Sequence, residues 1–323
     1  MAGAMMIVRG GYTGPIMLKP TGLERATVRA AFNDRRSPDR RADFLFREVE
    51  RRMLERLDLI RLQPVERVLD VGCGFGQSLA HLAVRYPGAQ MIGADLADRA
   101  LAGVAGKPDS QARVREGVKR WLSRLGVTSA RQLPATMPLW LVTDAHALAV
   151  AGNSIDMVWS NLAAHWFDDP LAAVAEWHRV IRPEGLLMFS AFGVDTLKEV
   201  RQPQRPAGAI AAGFRDASAW PAFQDMHDWG DALTAAGFAD PVMDVERLTL
   251  AYEDPEKLWH DAENLSMLTD LRQGGEQDRV RAGKSDPLEL SIELIYGHAW
   301  CPAVKRRQDG LATVQFHRFG SKL

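Results

Sequence analysis

The chain has 323 residues, of which 46% are hydrophobic and 25% are charged, a usage typical of globular proteins that argues against disorder and fibrous repeats. Its formal net charge of −1 does not provide the positive field on which duplex nucleic-acid binders depend, so we expect no nucleic-acid partner. The sequence has two cysteines, Cys73 and Cys301, which argues against a disulfide framework and a cysteine zinc site, and we expect no metal.

The amino-terminal segment does not resemble a secretion signal. Residues 1–18 are interrupted by Arg9, Gly10, Gly11 and Pro15, which leave no continuous apolar core of the required length. No stretch of the sequence approaches the roughly 18 apolar residues of a membrane span. We therefore predict a cytoplasmic protein that has no membrane partner, and we expect a monomer.

The first 62 residues are predicted to form a tail and a helical extension. Residues 1–22 are rich in glycine and show no sustained period, as in a loose tail. Residues 24–62 then carry apolar side chains at helical spacing, which predicts one or two amphipathic helices. These apolar positions are Phe44, Val49, Met53, Leu54, Leu57 and Ile60. Residues 63–323 are predicted to form a single domain, with an insertion at about 103–138.

Beyond this extension, short apolar runs alternate with helical segments, which is the pattern of an α/β fold. The predicted strands are residues 67–71, 91–95, 139–143, 156–160, 186–192, 241–252 and 288–300. The predicted helices among them are residues 77–85, 171–181, 227–236 and 255–268. A turn is predicted at residues 182–185 because they contain a proline and a glycine. The simplest assembly is a seven-stranded, mostly parallel sheet that ends in an antiparallel hairpin.

Three glycines at alternate positions, Gly72, Gly74 and Gly76, lie between the first predicted strand and the helix that follows it. Glycine tolerates positive φ and leaves room for a ligand against main-chain N–H groups, so the loop predicts a cofactor site at the carboxyl end of that strand. A tight turn without a ligand is the alternative. A nicotinamide site also uses a glycine turn, but its third glycine would come one residue later, where this chain has Gln77.

Acidic residues follow the next two predicted strands. Asp95 is predicted to accept hydrogen bonds from the hydroxyl groups of a ribose, with Leu96 beside an adenine. Asp144, followed by Ala145, is predicted to accept from the adenine amine. A helix N-cap is the alternative for Asp95, and a solvated turn is the alternative for Asp144. The three strand ends converge on one crevice, where open α/β sheets bind ligands.

The glycine loop and its acidic neighbours resemble those of class I S-adenosylmethionine-dependent methyltransferases, which implies a Rossmann-like fold and S-adenosyl-L-methionine as cofactor. Three further segments are SNLAAHW at 160–166, RVIRPEG at 179–185 and FGVDTLKEVR at 192–201. Together with YGHAW at 296–300, they are similar to the malonyl-acyl-carrier-protein O-methyltransferases of biotin synthesis. The resemblance covers most of the chain from Val28 onward.

A second family shares the turn around His165, the segment at 192–197 and a tryptophan near the carboxyl terminus. It comprises the mitochondrial complex I assembly factors that hydroxylate a protein arginine. A cofactor-binding protein without catalysis is the third alternative. The chain departs from the biotin-pathway pattern at two places, since His165 stands where many members have Gln and Asp39 where their Tyr is expected.

The biotin-pathway resemblance implies methyl transfer to the free carboxylate of a malonyl thioester on acyl-carrier protein. That carboxylate is ionised at neutral pH, so no general base is expected and no catalytic acid or base is assigned. An Arg, a Lys or a neutral donor would clamp the carboxylate. The candidates are His165, Arg182, Lys198 and Arg201, with Trp166 as a wall of the acceptor pocket. Interaction with a helix dipole is the alternative for Arg182, and simple core packing for Trp166.

The resemblance also implies a set of cofactor-binding residues and a docking surface for the acidic carrier protein. The cofactor set is Asp70, Gly72, Cys73, Gly74, Gly76, Asp95, Leu96, Asp144, Ala145 and Asn161. The candidate docking cluster is Arg35, Arg36, Arg40 and Arg41, continued by Arg51 and Arg52. The alternative is a solvated helix face whose charge Glu48, Glu50 and Glu55 neutralise.

Overall fold

The computed structural model describes residues 7–9, 18–34, 44–62, 64–105, 137–201, 222–252, 288–303 and 311–313. Its strands are β1 (Ile7–Arg9), β2 (Arg67–Val71), β3 (Gln90–Asp95), β4 (Leu139–Val142), β5 (Ile155–Ser160), β6 (Ile181–Phe192), β7 (Ala239–Tyr252), β8 (Leu288–Trp300) and β9 (Leu311–Thr313). Its α-helices are α1 (Arg25–Asp34), α2 (Phe44–Leu57), α3 (Gln77–Arg85), α4 (Asp98–Ala105), α5 (Pro170–Val180), α6 (Lys198–Arg201) and α7 (Met226–Ala236). A short 3₁₀-helix spans Ala164–Trp166. The helices α1 and α2 confirm the predicted amino-terminal helical extension.

Seven strands form one sheet in the order β4-β3-β2-β5-β6-β8-β7. The strands β2 to β6 run parallel, and β8 runs antiparallel to both of its neighbours. The strand order reverses direction at β2, with β3 on one side and β5 on the other, which creates a crevice at the carboxyl ends of these strands. The predicted α/β fold, with its antiparallel hairpin at the end, is confirmed.

Helices cover both faces of this sheet. On one face α2 and α3 pack against the strands, with Leu45 and Val49 of α2 fully buried. On the other face lie α5 and α7, where the rings of Trp177 and Trp229 have centroids 5.6 and 5.1 Å from that of Phe189. The central strands β2 and β5 are buried on both faces, and apolar residues therefore predominate in them without strict alternation. None of the described helices combines the length and apolar character that crossing a bilayer requires.

Part of the segment predicted as a loose tail is packed into the structure. Residues Ile7–Arg9 pair with Leu311–Thr313 as a separate two-stranded sheet. Leu18 and Thr21 are buried, and the Thr21 N–H donates to the carbonyl of Asp168 at 3.1 Å. The prediction of a loose tail for residues 1–22 was wrong for these positions, because their hydrogen-bond partners lie far away in the sequence.

The predicted turn at residues 182–185 is instead an irregular part of β6. Ile155 of β5 pairs with Ile181 and Met157 pairs with Leu186, so the β6 chain bulges between these two contacts. Glu184 adopts a φ of +63°, which accommodates the bulge without ending the strand. The predicted helix at 255–268 and most of the predicted insertion at 103–138 lie outside the described residues. The proposed domain boundaries therefore stay a prediction.

Candidate functional site

One pocket lies at the carboxyl ends of β2 to β5 and contains nearly all of the predicted cofactor-binding residues. Those that line it are Asp70, Gly72, Cys73, Gly74, Asp95, Leu96, Asp144, Ala145 and Asn161. Gly76 does not line it. The pocket occupies the crevice that the reversal of strand order creates, which is the expected position for a ligand in an open α/β sheet.

The glycine loop approaches this pocket with its bare main chain at Gly74. That residue has a φ of +52°, and a methyl group built on it would meet no atom within 4 Å. At Gly72 the added methyl would lie 2.3 Å from the Ala163 Cβ, so protein already fills that space. Hydrogen bonds from the N–H groups of Gly72 and Cys73 to the Ala94 carbonyl, at 2.8 and 3.2 Å, hold the loop in place. The loop therefore leaves open space for a ligand at Gly74.

The structure gives Gly76 a different role from the predicted one. It has a φ of +70° at the start of α3, and a methyl group there would lie 2.3 Å from the ring of Trp140. Trp140 also lies over Gly93, where an added methyl would approach its ring to 2.7 Å. Gly76 is therefore required for close packing of β3, β4 and α3 rather than for ligand contact.

Asp95 connects the two loops that form the centre of the pocket. Its Oδ2 accepts the N–H of Gly74 at 2.7 Å, and its Oδ1 accepts the N–H of Ala97 at 2.8 Å. A carboxylate oxygen can accept more than one hydrogen bond, which suits Asp95 to a ligand in the pocket that it lines. The predicted position of Asp95 beside the glycine loop is what the structure shows.

Asp144 lines the pocket but already carries an ion pair that the sequence did not reveal. Its Oδ2 accepts from Nη1 of Arg25 at 2.6 Å, and its Oδ1 accepts the N–H of His146 at 2.9 Å. Partial burial would raise the pKa of Asp144, but the hydrogen bonds from His146 and the charge of Arg25 outweigh it and lower that pKa. Arg25 also donates from Nε to Asp168 at 2.8 Å. Asp144 is therefore a paired anion and not a solvated turn residue.

Helix α1 covers the mouth of the pocket with side chains that sequence reasoning missed. The lining includes Arg25, Val28, Arg29 and Phe32. Arg29 pairs with Asp98 of α4 at 2.9 Å, so ion pairs connect α1 to the rim of the pocket. The spacing of three and four residues places these side chains on one face of a helix, and that signal could have identified them.

Two buried carboxylates form the floor of the pocket. Asp70 of β2 is 2% exposed and Glu50 of α2 is 3% exposed. Burial, and then the charges of Glu50 and Asp95, raise the pKa of Asp70 well above its usual range. Glu50 lies 2.9 Å from Nδ1 of His81; burial lowers the pKa of His81, but the interactions with Glu50 outweigh it and raise that pKa. The alternative interpretation, in which Glu48, Glu50 and Glu55 neutralise the surface arginines, does not hold for Glu50, because Glu50 is buried.

Asn161 joins the sheet to the helical extension. Its Nδ2 donates to the carbonyl of Phe46 at 3.1 Å, and its Oδ1 accepts from the hydroxyl of Ser190 at 3.0 Å. The same hydroxyl accepts the N–H of Leu162 at 2.9 Å, which supports a positive φ of +49° at that residue. Asn161 lines the pocket, and its amide also fixes the position of α2 above it.

His165 and Trp166 lie side by side in the 3₁₀-helix after β5. Trp166 lines the pocket and its ring meets that of Phe32 edge-on, with centroids 5.4 Å apart. His165 is buried against Trp166, Phe192 and Phe223, at centroid distances of 5.2, 4.5 and 5.9 Å. Burial lowers the pKa of His165 to about 3, so the imidazole is neutral at neutral pH. Among the described residues, neither of its ring nitrogens has a hydrogen-bond partner.

Two of the predicted cationic clamp residues, Arg182 and Lys198, do not line the pocket. Arg182 pairs through Nε with Asp156 and donates from Nη2 to the Pro64 carbonyl at 3.1 Å. Asp156 also accepts the N–H of Arg67, where β2 begins, so this cluster lies at the opposite edge of the sheet. Lys198 is half exposed, and α6 ends at Arg201, whose side chain lies outside the described part of the chain.

Only a part of the predicted docking cluster lies within the described residues. Residues 35–43 lie outside them. Arg51 pairs with Glu48 at 2.7 Å and with Glu55, while Arg52 pairs with Glu48 at 2.8 Å and with Glu246. The described part of the cluster therefore has its charge matched by neighbouring carboxylates, as the alternative interpretation expects.

The chain is similar in sequence to a known family and to several known proteins. Residues 69–189 match the family described as Methyltransferase domain. The chain is 40% identical to the malonyl-[acyl-carrier protein] O-methyltransferase of Laribacter hongkongensis, over 91% of this chain and 96% of that protein. It is 38% identical to the proteins of the same name from Gallionella capsiferriformans and Methylovorus sp., over 91% of this chain and 96% and 95% of theirs. The likeness therefore extends well beyond residues 69–189.

Proposed function

The chain belongs to the malonyl-[acyl-carrier protein] O-methyltransferase family, and from this membership we propose that it transfers a methyl group from S-adenosyl-L-methionine to the free carboxylate of malonyl-acyl-carrier protein. This reaction belongs to the synthesis of the biotin precursor. The structural observation that carries the proposal is the pocket at which Gly74 opens onto free space beside Asp95. The three relatives described above share one name, which favours a malonyl thioester over the protein arginine considered from the sequence.

The residues of the pocket fit an adenosyl cofactor. Gly74 offers bare main chain, and a side chain there would occupy the ligand's space. We assign the ribose hydroxyls to Asp95 and the apolar flanks of the adenine to Leu96 and Ala145, all of which line the pocket. Asp144 keeps a lone pair on Oδ2 for the adenine amine beside its ion pair with Arg25.

Methyl transfer to a carboxylate requires no proton transfer by the protein. When bound, S-adenosylmethionine supplies a methyl group on a positively charged sulfur. The malonyl carboxylate is already ionised at neutral pH, so the chain needs to align it and exclude water rather than deprotonate it. The apolar surface of Val28, Phe32 and Trp166, which α1 helps to form, serves this exclusion at the mouth of the pocket.

We assign the acceptor side of the site to His165 and Trp166. A buried imidazole without a partner is costly, by about 1–3 kcal/mol for each unsatisfied group, and a ligand that bonds to it removes this cost. Because His165 is neutral, it would donate one hydrogen bond to the carboxylate and would not act as a general acid. Arg201, which follows β6 at the same edge of the sheet, stays a candidate cation, whereas Arg182 lies at the opposite edge, paired with Asp156.

The proposal is tested by incubating the protein with S-adenosylmethionine labelled in the methyl group and with malonyl-acyl-carrier protein. Label in the carrier fraction is expected, and mild alkali should release it, because the thioester that links the methylated malonyl group to the carrier is hydrolysed readily. Tight binding of the cofactor with no label on the carrier would instead favour a binding protein or a different acceptor.

A further inference from the structure

The rim network is a closed circuit of polar contacts between Arg25, Asp144, His146 and Asp168, all of which line the pocket. Arg25 donates from Nη1 to Oδ2 of Asp144 at 2.6 Å and from Nε to Oδ2 of Asp168 at 2.8 Å. On the other side of the same two carboxylates lies His146. Its Nδ1 contacts Oδ1 of Asp144, and its Nε2 is 3.0 Å from Oδ1 of Asp168. Each carboxylate oxygen therefore faces either the guanidinium or the imidazole.

The rim network connects three elements, and its inner member is buried while its outer member is exposed. Asp144 and His146 follow β4, Asp168 precedes α5, and Arg25 begins α1. The His146 side chain is 8% exposed, and its ring meets that of Phe167 edge-on, with centroids 5.9 Å apart. The Arg25 side chain, by contrast, is 48% exposed. The imidazole therefore fixes the two carboxylates from inside, and the guanidinium binds them from outside and holds α1 to the rim.

Nε2 of His146 has two partners within reach, and a proton on it decides between them. Without a proton, Nε2 accepts the N–H of Asp169 at 3.3 Å. With a proton, it would donate to Oδ1 of Asp168, an oxygen that is buried and has no hydrogen-bond partner among the described residues. Because a buried acceptor without a donor is unfavourable, Asp168 is placed to receive this hydrogen bond without rearrangement.

Protonation of His146 weakens the attraction that holds Arg25. Beside a neutral imidazole, the guanidinium faces two carboxylates with a summed charge of −2, whereas an imidazolium reduces that sum to −1. The carboxylate of Asp169 does not add to this sum in the same way, since it caps α5 by accepting the N–H of Ala172 at 3.0 Å. Histidine side chains gain a proton between roughly pH 8 and 5, so α1 is held less tightly as the pH falls through this range.

We propose that His146 is a positioning residue for the helix that covers the pocket. Its neutral imidazole directs the two carboxylates toward Arg25 and keeps α1 closed, and a proton taken up from solvent at Nε2 loosens α1. Closed α1 slows the release of the ligand beneath it, and acidification speeds that release. The statement about the ligand rests on the proposed function, since it takes S-adenosylmethionine as that ligand.

The test measures hydrogen exchange of α1 by mass spectrometry on the full chain without ligand, between about pH 5 and 8 and relative to the intrinsic exchange rate at each pH. The buried strand β5 is the internal reference, because its protection falls only when the domain as a whole opens. His146→Gln keeps hydrogen-bonding capacity but cannot gain a proton, and His146→Phe keeps a ring but makes no hydrogen bonds. The matched control is His227→Gln, at an exposed residue of α7 that does not line the pocket.

We expect the protection of α1 to fall about 2- to 5-fold from the alkaline to the acidic end, the usual worth of a half-exposed ion pair, while that of β5 stays constant. His227→Gln should keep this pH dependence, His146→Gln should abolish it, and His146→Phe should lower the protection of α1 throughout the range. A pH dependence that survives in His146→Gln would overturn the inference. So would a His146→Phe variant whose α1 is as protected as in the unaltered protein.

The dissociation rate of S-adenosylmethionine, followed by stopped-flow fluorescence, separates this inference from the proposed function. On acidification the rate should rise more in the unaltered protein than in His146→Gln, by the same factor as the loss of protection in α1. If the unaltered protein binds no S-adenosylmethionine, the proposed function fails, and the exchange of α1 still decides the role of His146. If the two proteins show the same change in dissociation rate, α1 does not retain the ligand and the inference is wrong.

Discussion

Replacement of Gly74 by Ala separates ligand contact from backbone strain. Gly74 has a φ of +52° and open space around the position of an added methyl group. Left-handed backbone costs a non-glycine residue about 1–2 kcal/mol, which lowers the unfolding temperature by about 2–4 °C for each kcal/mol in a domain of this size. Gly22 provides a matched control, since it has a φ of +79°, equally open space and no place in the pocket lining.

Both Gly74→Ala and Gly22→Ala should therefore lose similar stability in thermal unfolding. Only Gly74→Ala should also lose affinity for S-adenosylmethionine, because its methyl group occupies the ligand's space. Overpacking of this kind costs about 1–3 kcal/mol, or about 5- to 150-fold in the dissociation constant measured by calorimetry. Unchanged affinity in Gly74→Ala, or an equal loss in Gly22→Ala, would refute the assignment of the glycine loop to the cofactor.

Three further predictions concern the rest of the site. His165→Phe should lower kcat/KM for malonyl-acyl-carrier protein without changing cofactor affinity, and His165→Gln should retain most activity; equal rates for both variants would show that His165 only packs. Because burial raises the pKa of Asp70 and an ammonium would favour its ionised form, cofactor binding should release protons and tighten as the pH rises toward that raised pKa. Calorimetry in buffers of different ionisation enthalpy measures this release, and Asp70→Asn should abolish it. Arg25→Met removes two half-exposed ion pairs worth about 0–1 kcal/mol each. The dissociation rate of the cofactor, measured by Trp fluorescence, should therefore increase only a few-fold. An unchanged rate would show that α1 does not cover the ligand.

The sequence predicted the sheet well because its central strands are buried on both faces. Runs such as residues 67–71 and 155–160 are too short for amphipathic helices, so a strand is the favoured prediction for both. The glycine loop marks where the first of these strands ends. The bulge in β6 was missed because Pro183 and Gly185 signal a turn by local chemistry alone. Pairing with the neighbouring strand keeps these residues within β6.

The parts of the site that come from the helical extension could not be predicted from local pattern. In the sequence, Glu50 is one of several charged residues that predict a polar helix face. Only the packing of α2 on the sheet shows that Glu50 is buried. Arg25 likewise pairs with Asp144, which is 119 residues away in the sequence. Arg182 was placed near the acceptor because it lies in a family-like segment, whereas strand direction puts it at the opposite edge of the sheet.

The most direct test of the proposed reaction is mass spectrometry of the acyl-carrier protein after incubation with the protein and S-adenosylmethionine. We expect malonyl-acyl-carrier protein to gain one methyl group, located by fragmentation on the terminal carboxylate, and acetyl-acyl-carrier protein, which has no free carboxylate, to gain none. An unmodified malonyl carrier in the presence of protein that binds the cofactor, or a methyl group at any other position, would contradict the proposed function.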